Sequence, residues 1–167
     1  MQVPDYTAFT RAIAEGRDQP EAAYAALWAL TEQVVGVKLF TVMTHDSKNG
    51  TARRAYSNMP DAYPVSGTKP ANETDWSRQV IRDRRTFVAN TIEDIAEVFY
   101  DHELIKSLGC ESVINVPIIV ADEVRGTINC LHEAGYYTPE RVQAAEALKL
   151  PGMVCLLISE LAEKGGL

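Results

Sequence analysis

The chain has 167 residues, 46% of them apolar and 23% charged, enough to bury one hydrophobic core and too apolar to stay disordered. Its net charge of −7 disfavours general binding to nucleic acid. No apolar run approaches the ~20 residues that span a bilayer, and Met1–Thr10 lacks the basic-then-apolar pattern of a secretory leader. Cys110, Cys130 and Cys155 are odd in number, widely spaced and without a CxxC pair, which excludes a disulfide framework and a zinc site. Reduced thiols and a cytoplasmic location are the expectation.

Asp5 caps a short first helix carrying Tyr6, Phe9 and Ile13 at helical spacing, and Gly16 ends it. A second helix runs from about Pro20 to Val35 with Ala23, Leu27, Leu30 and Val34 as its stripe. Lys38–Thr44 reads as a strand, His45–Thr51 as a turn around Asn49-Gly50, and Ala52–Ser57 as the returning strand. Pro60, Pro64, Gly67 and Pro70 leave Asn58–Ala71 as a long loop without regular structure. A helix follows over Asp75–Arg82, capped by Asn72 or Thr74, and then a short strand over Thr86–Ala89. Ile92–Leu108 is helical in two pieces that break near Tyr100–His102, and Gly109 closes the second.

The clearest signal is a hairpin. Ser112–Val120 and Val124–His132 flank the turn Ala121-Asp122-Glu123, and both strands are apolar at nearly every position. Both faces of their sheet must therefore be covered. Pro117 lacks an amide donor and belongs at an edge or a bulge. Thr138 and Pro139 open a last helix that runs to about Glu163 and is kinked at Pro151-Gly152.

The order is α/β (α+β): a central antiparallel sheet, terminal helices on one face, and crossover helices plus the long loop over a pocket on the other. SVINVPIIV, a short turn, RGTINCLHE and YTPERVQAAEAL, over Ser112–Leu148, resemble the second half of a GAF domain. The amphipathic helix ending near Gly36 and the strand pair after it are similar to the first half. The resemblance covers about residues 21–161 and implies a single GAF-like domain over 1–167 with a GAF/PAS-like sheet and a ligand-binding pocket. It does not specify a ligand, because one fold hosts many functions.

Alternation along the hairpin puts Thr127, Asn129 and Leu131 on one face and Ile128, Cys130 and His132 on the other. Asn115 and Asn129 are misfits in apolar strands, since buried amides need partners. Either they point into a pocket or each pairs with a neighbouring loop; the resemblance favours a ligand-facing Asn129. Tyr56, Trp76, Phe99 and Tyr100 are candidate aromatic walls for a planar ligand. Arg78, Arg82, Arg84 and Arg85, opposed locally by Asp83, are either an anion grip or a solvated face. His45, His102 and His132 are scattered, and Asp101-His102-Glu103 diverge along a helix, so no metal is expected.

Cys110 follows Gly109 and is expected to be partly exposed near the pocket mouth. Some relatives of this family reduce free methionine sulfoxide with pocket cysteines. Asn58–Asn90 has none of these, and Asn129 and Leu131 stand where acids belong, which disfavours a thiol-dependent reductase. The post-hairpin set of cyclic-nucleotide binders and the crossover cysteine of bilin binders are also missing. No cofactor is assigned. The expectation is a binding or sensor module rather than an enzyme, with Tyr56, Trp76, Tyr100, Cys110, Asn115 and Asn129 around a small planar or anionic ligand. It signals through a separate output protein or a homodimer joined by the terminal helices, with Leu156 and Leu157 left over for burial.

Overall fold

Two helices open the chain. The structure, a computed structural model, describes residues 3–167, with Lys69 described by its backbone alone; Met1 and Gln2, the start of the expected 1–167 domain, lie outside the described residues. Helix α1 (Thr7–Ala14) is held by Asp5, whose Oδ1 accepts the Thr7 amide at 2.9 Å, and it buries Phe9. Helix α2 (Glu21–Val34) buries Ala23, Tyr24, Leu27, Leu30 and Thr31 along one side. Gly36 ends it at φ +87, where a Cβ would collide with Tyr136, so only glycine fits that turn.

Strands β1 (Leu39–Asp46) and β2 (Thr51–Ser57) form the first hairpin. The loop after it is not wholly irregular: Lys69–Pro70 pair with Thr51 and Ala52 as a two-residue strand β3. Proline is tolerated there because the strand is at the edge. Helix α3 (Asp75–Ser77), with a Thr74–Ser77 capping box, widens into a π turn over Arg78–Arg82. Strand β4 (Phe87–Ala89), helix α4 (Ile92–Val98) and helix α5 (His102–Ser107) follow, the helices breaking where expected.

Strands β5 (Ser112–Val120) and β6 (Glu123–His132) form the second hairpin. Its turn is one residue shorter than expected, with Ala121 and Asp122 at φ 49 and 67, the left-handed pair of a tight primed turn. The register slips between Ile118 and Ile119, which absorbs the extra residue. Pro117 sits just before this bulge and beyond the three β5 residues that β4 pairs with, so its missing donor leaves no β4 partner unsatisfied.

Helices α6 (Pro139–Ala145) and α7 (Lys149–Glu163) are separated by a 3₁₀ turn at Glu146–Leu148. The interruption falls a turn before Pro151, not at it. A helical proline cannot bond the carbonyl four residues back; that carbonyl, on Ala147, instead accepts the Tyr6 hydroxyl at 3.3 Å. Pro139–Glu163 together is 25 residues, long and apolar enough by length and composition to cross a membrane, contrary to the sequence expectation. One side of it is used otherwise: Leu148, Pro151, Gly152, Cys155, Leu156 and Ser159 are buried in the fold.

The strands form one antiparallel sheet in the order β3-β2-β1-β6-β5-β4. α1, α2, α6 and α7 close one face, over Phe40, Val42, Ile114, Val116, Ile118, Ile128 and Cys130. Glycines allow the close approach: a Cβ on Gly126 would lie 2.5 Å from the Met43 carbonyl oxygen, and one on Gly152 2.8 Å from Ile128. The long loop, α4 and α5 close the other face, over Leu39, Val113 and Leu131, with Tyr63, Ile95, Ile105 and Cys110. This two-sided cover is the physical reason both hairpin strands are apolar throughout.

Candidate functional site

Strand pairing aligns Thr41, Asn129, Asn115 and Phe87 in one row across β1, β6, β5 and β4. The row lies on the face under the loop and crossover helices. Asn115 is 3% exposed and Asn129 8%, and the two amides are hydrogen-bonded to each other. Trp76 Nε1 donates to Asn115 Oδ1 at 2.9 Å. Asn115 Nδ2 donates to Asn129 Oδ1 at 2.8 Å, and Asn129 Nδ2 donates to Thr41 Oγ1 at 3.2 Å. An indole nitrogen only donates, so Trp76 dictates which way each amide is turned. Trp76, Asn115, Asn129 and Thr41 thus form a directed chain of four side chains, and among the described residues each amide keeps one further N–H free to donate.

Trp76 is set over the row by α3 and held by aromatic contacts. Its ring centroid is 6.4 Å from that of Phe99, edge to face, and Phe99 meets Phe87 at 6.1 Å. One row further along the same face are Met43, Thr127 and Pro117. Thr127 is wholly buried and its hydroxyl has no partner among the described residues.

Of the expected site residues, Trp76, Asn115 and Asn129 come together. Tyr56 does not join them. A bulge at Ala55, between the pairs Val42–Tyr56 and Met43–Arg54, puts Tyr56 on the helix face, stacked on Tyr24 at 5.7 Å and against Phe40. Tyr100 is 97% exposed at the α4–α5 break and walls nothing. Cys110 is on the cover side but fully buried, not partly exposed. Burial pushes its thiol above the ordinary range, the opposite of what a reactive thiolate needs.

The arginine cluster does not converge on an anion site either. Arg78 is engaged by Glu73 and Asp75, Arg82 and Arg85 by Asp83, and Arg84 by Asp122 at 2.6 Å. These are solvent-facing pairs of the solvated-face kind.

Sequence reasoning put Thr127 on the face of Asn129 without counting it as a site residue, and it missed two further polar residues of this face. Thr41 pairs with Asn129, so a register argument would have found it. Arg54 was hidden by the bulge, which turns it from the face of Tyr56 to the cover face; there its guanidinium lies 5.0 Å over the Tyr63 ring and donates to the Pro64 carbonyl at 3.1 Å. A separate cavity of about 500 Å³ opens at the end of the sheet, lined by Thr44, Ser159 and the pairs Arg53–Glu163 and Arg125–Glu160.

This fold, an antiparallel sheet covered on both faces, is of the α/β class to which GAF domains belong. The family model of the GAF domain matches residues 16–148, and the chain belongs to that family. Solved structures agree on the fold. A GAF domain of a two-component sensor histidine kinase from Bacillus halodurans aligns with a TM-score of 0.64 at 14% identity, covering 88% of this chain and 98% of that one. A GAF/HD domain protein from Geobacter sulfurreducens gives 0.65 at 14%, covering 89% and 97%. The blue-light-absorbing form of the Thermosynechococcus elongatus PixJ GAF domain gives 0.61 at 12%, covering 95% and 93%. Among curated proteins none matches the sequence.

Proposed function

We propose that this GAF domain is a small-molecule sensor that holds its ligand between the Thr41–Asn129–Asn115 row and the cover formed by Trp76, Phe99 and the loop 58–71, and that it is a binding module rather than an enzyme. The observation that carries this is the buried, directed polar chain on an otherwise apolar face, with the buried and unpartnered Thr127 hydroxyl beside it. The unmet Thr127 hydroxyl beside the chain's spare amide hydrogens is what favours a ligand, because a buried polar group left unmet costs about 1–3 kcal/mol. Trp76 links sheet and cover through one hydrogen bond, so a ligand that competes for Asn115 shifts the packing of α3 and the loop.

Signalling then passes through a homodimer. Leu150, Val154, Leu157 and Leu161 recur at alternating spacings of four and three on α7, with Leu150, Leu157 and Leu161 exposed and Val154 partly packed on the core. Leu150 is 73%, Leu157 50% and Leu161 41% exposed, whereas Leu156, expected to share this surface, is buried in the core. A second copy of the same stripe is the partner that such a seam fits. Native mass spectrometry of freshly purified protein tests the ligand reading. A co-purified small molecule retained by the parent protein and lost from Asn129→Leu is the expected result; equal retention by the variant removes the site.

A further inference from the structure

Strand register places three buried polar atoms without partners among the described residues near Met43. Thr127 Oγ1, Arg54 Nε and His45 Nε2 are all buried and unbonded, three of the five such atoms among the described residues. Met43 pairs with Arg54 on one side and Thr127 on the other, and His45 lies two residues along β1, on the same face by alternation. Neighbouring strands are ~4.8 Å apart, so a single small molecule lying over Met43 reaches all three.

Each of the unmet groups can donate. Arg54 Nε only donates, the threonine hydroxyl donates as well as accepts, His45 Nε2 donates in one of its two tautomers, and the free amide hydrogens of the Asn115–Asn129 chain also donate. Arg54 makes no ion pair among the described residues. Tyr63, whose ring the Arg54 guanidinium covers, donates its hydroxyl to Asp101 at 2.5 Å. The face therefore offers several donors beside a cation that makes no ion pair among the described residues.

We propose that the sensor's ligand is a small carboxylic acid whose carboxylate is bound by Arg54 and Thr127, with His45 at its rim and the rest of the molecule against Trp76. The assignment rests on the ligand site proposed above and names its chemistry. It differs from an anion grip at Arg78–Arg85, whose arginines are already paired in solvent.

The test uses the full chain, ¹⁵N-labelled, titrated to millimolar levels with benzoate and succinate and with their neutral amides. The expected result is a saturable shift of the Arg54 Nε–H and Trp76 indole resonances with the acids and none with the amides. Arg54→Gln and, independently, Thr127→Val each weaken binding of the acids by about tenfold or more, the loss of one charge-assisted hydrogen bond, with the amide spectrum confirming that both variants fold. If amides bind as tightly as acids, or both variants bind acids unchanged, while Asn129→Leu abolishes binding, the carboxylate assignment is overturned and the ligand site stands. If no compound moves a cover-face resonance, both fall.

Discussion

Single residues on the cover face are coupled through hydrogen bonds rather than packing alone. Trp76→Phe keeps most of the ring but removes the donor that orients the amide chain. It should cost about 1–2 kcal/mol in urea unfolding, and its effect should be non-additive with Asn115→Ala, since the two share one bond. Additive losses would show that the chain is not coupled. His45 gives a pH signature. Burial holds its imidazole down to about 4, whereas in the unfolded chain it titrates near its ordinary value of about 6.5. As pH falls through that window the unfolded chain takes up a proton and the folded one does not. Stability is therefore full above about 6.5 and declines toward about 4, at up to about 1.4 kcal/mol per pH unit. His132, also held below its ordinary value by burial, adds in the same direction. Unfolding of His45→Gln should show a shallower decline between neutral pH and about 5 than the parent chain.

At the scale of elements, two glycines decide how closely α7 lies on the sheet. Gly152 is in a helix, where alanine is intrinsically better by about 1 kcal/mol, and the atoms its Cβ would meet are the flexible ends of Ile128 and Ile118. Gly126 faces the Met43 carbonyl, which the β1–β6 pairing holds in place. Gly126→Ala should thus destabilise by about 2–3 kcal/mol and Gly152→Ala by clearly less, measured as a difference in thermal midpoint. The reverse order would mean that α7, not the strand, is the rigid partner. The α6–α7 break follows the same logic. Pro151 frees the Ala147 carbonyl, and the Tyr6 hydroxyl takes it up, tying the start of the chain to its last helix.

For the whole molecule, the outward stripe of α7 predicts association. Light scattering on a sizing column should give a dimer at micromolar concentration, and Leu157→Glu with Leu161→Glu should convert it to a folded monomer, since two charges placed in a seam are not compensated there. A parent protein that runs as a monomer, or a double variant that stays dimeric, sinks this seam.

Much of the architecture was legible from local chemistry. The hairpin Ser112–His132, the break between α4 and α5, the Thr138 cap and the two-sided cover follow from alternation, capping and apolarity, properties a few neighbouring residues hold by themselves. The GAF family followed from their order. The site was legible only where alternation is regular, at Asn115 and Asn129, with Trp76 added by its place at the start of a helix. Tyr56 and Arg54, which alternation would put on one face, lie on opposite faces because of a one-residue bulge at Ala55, and nothing local in Ala52–Ser57 marks it. Tyr100 went to solvent and Cys110 into the core because helix-end orientation depends on what the ends pack against. Sequence by itself determined which residues prefer burial and with what period. The tertiary structure decided which buried polar groups meet, because strand register and bulges are set by pairing between segments distant in the chain.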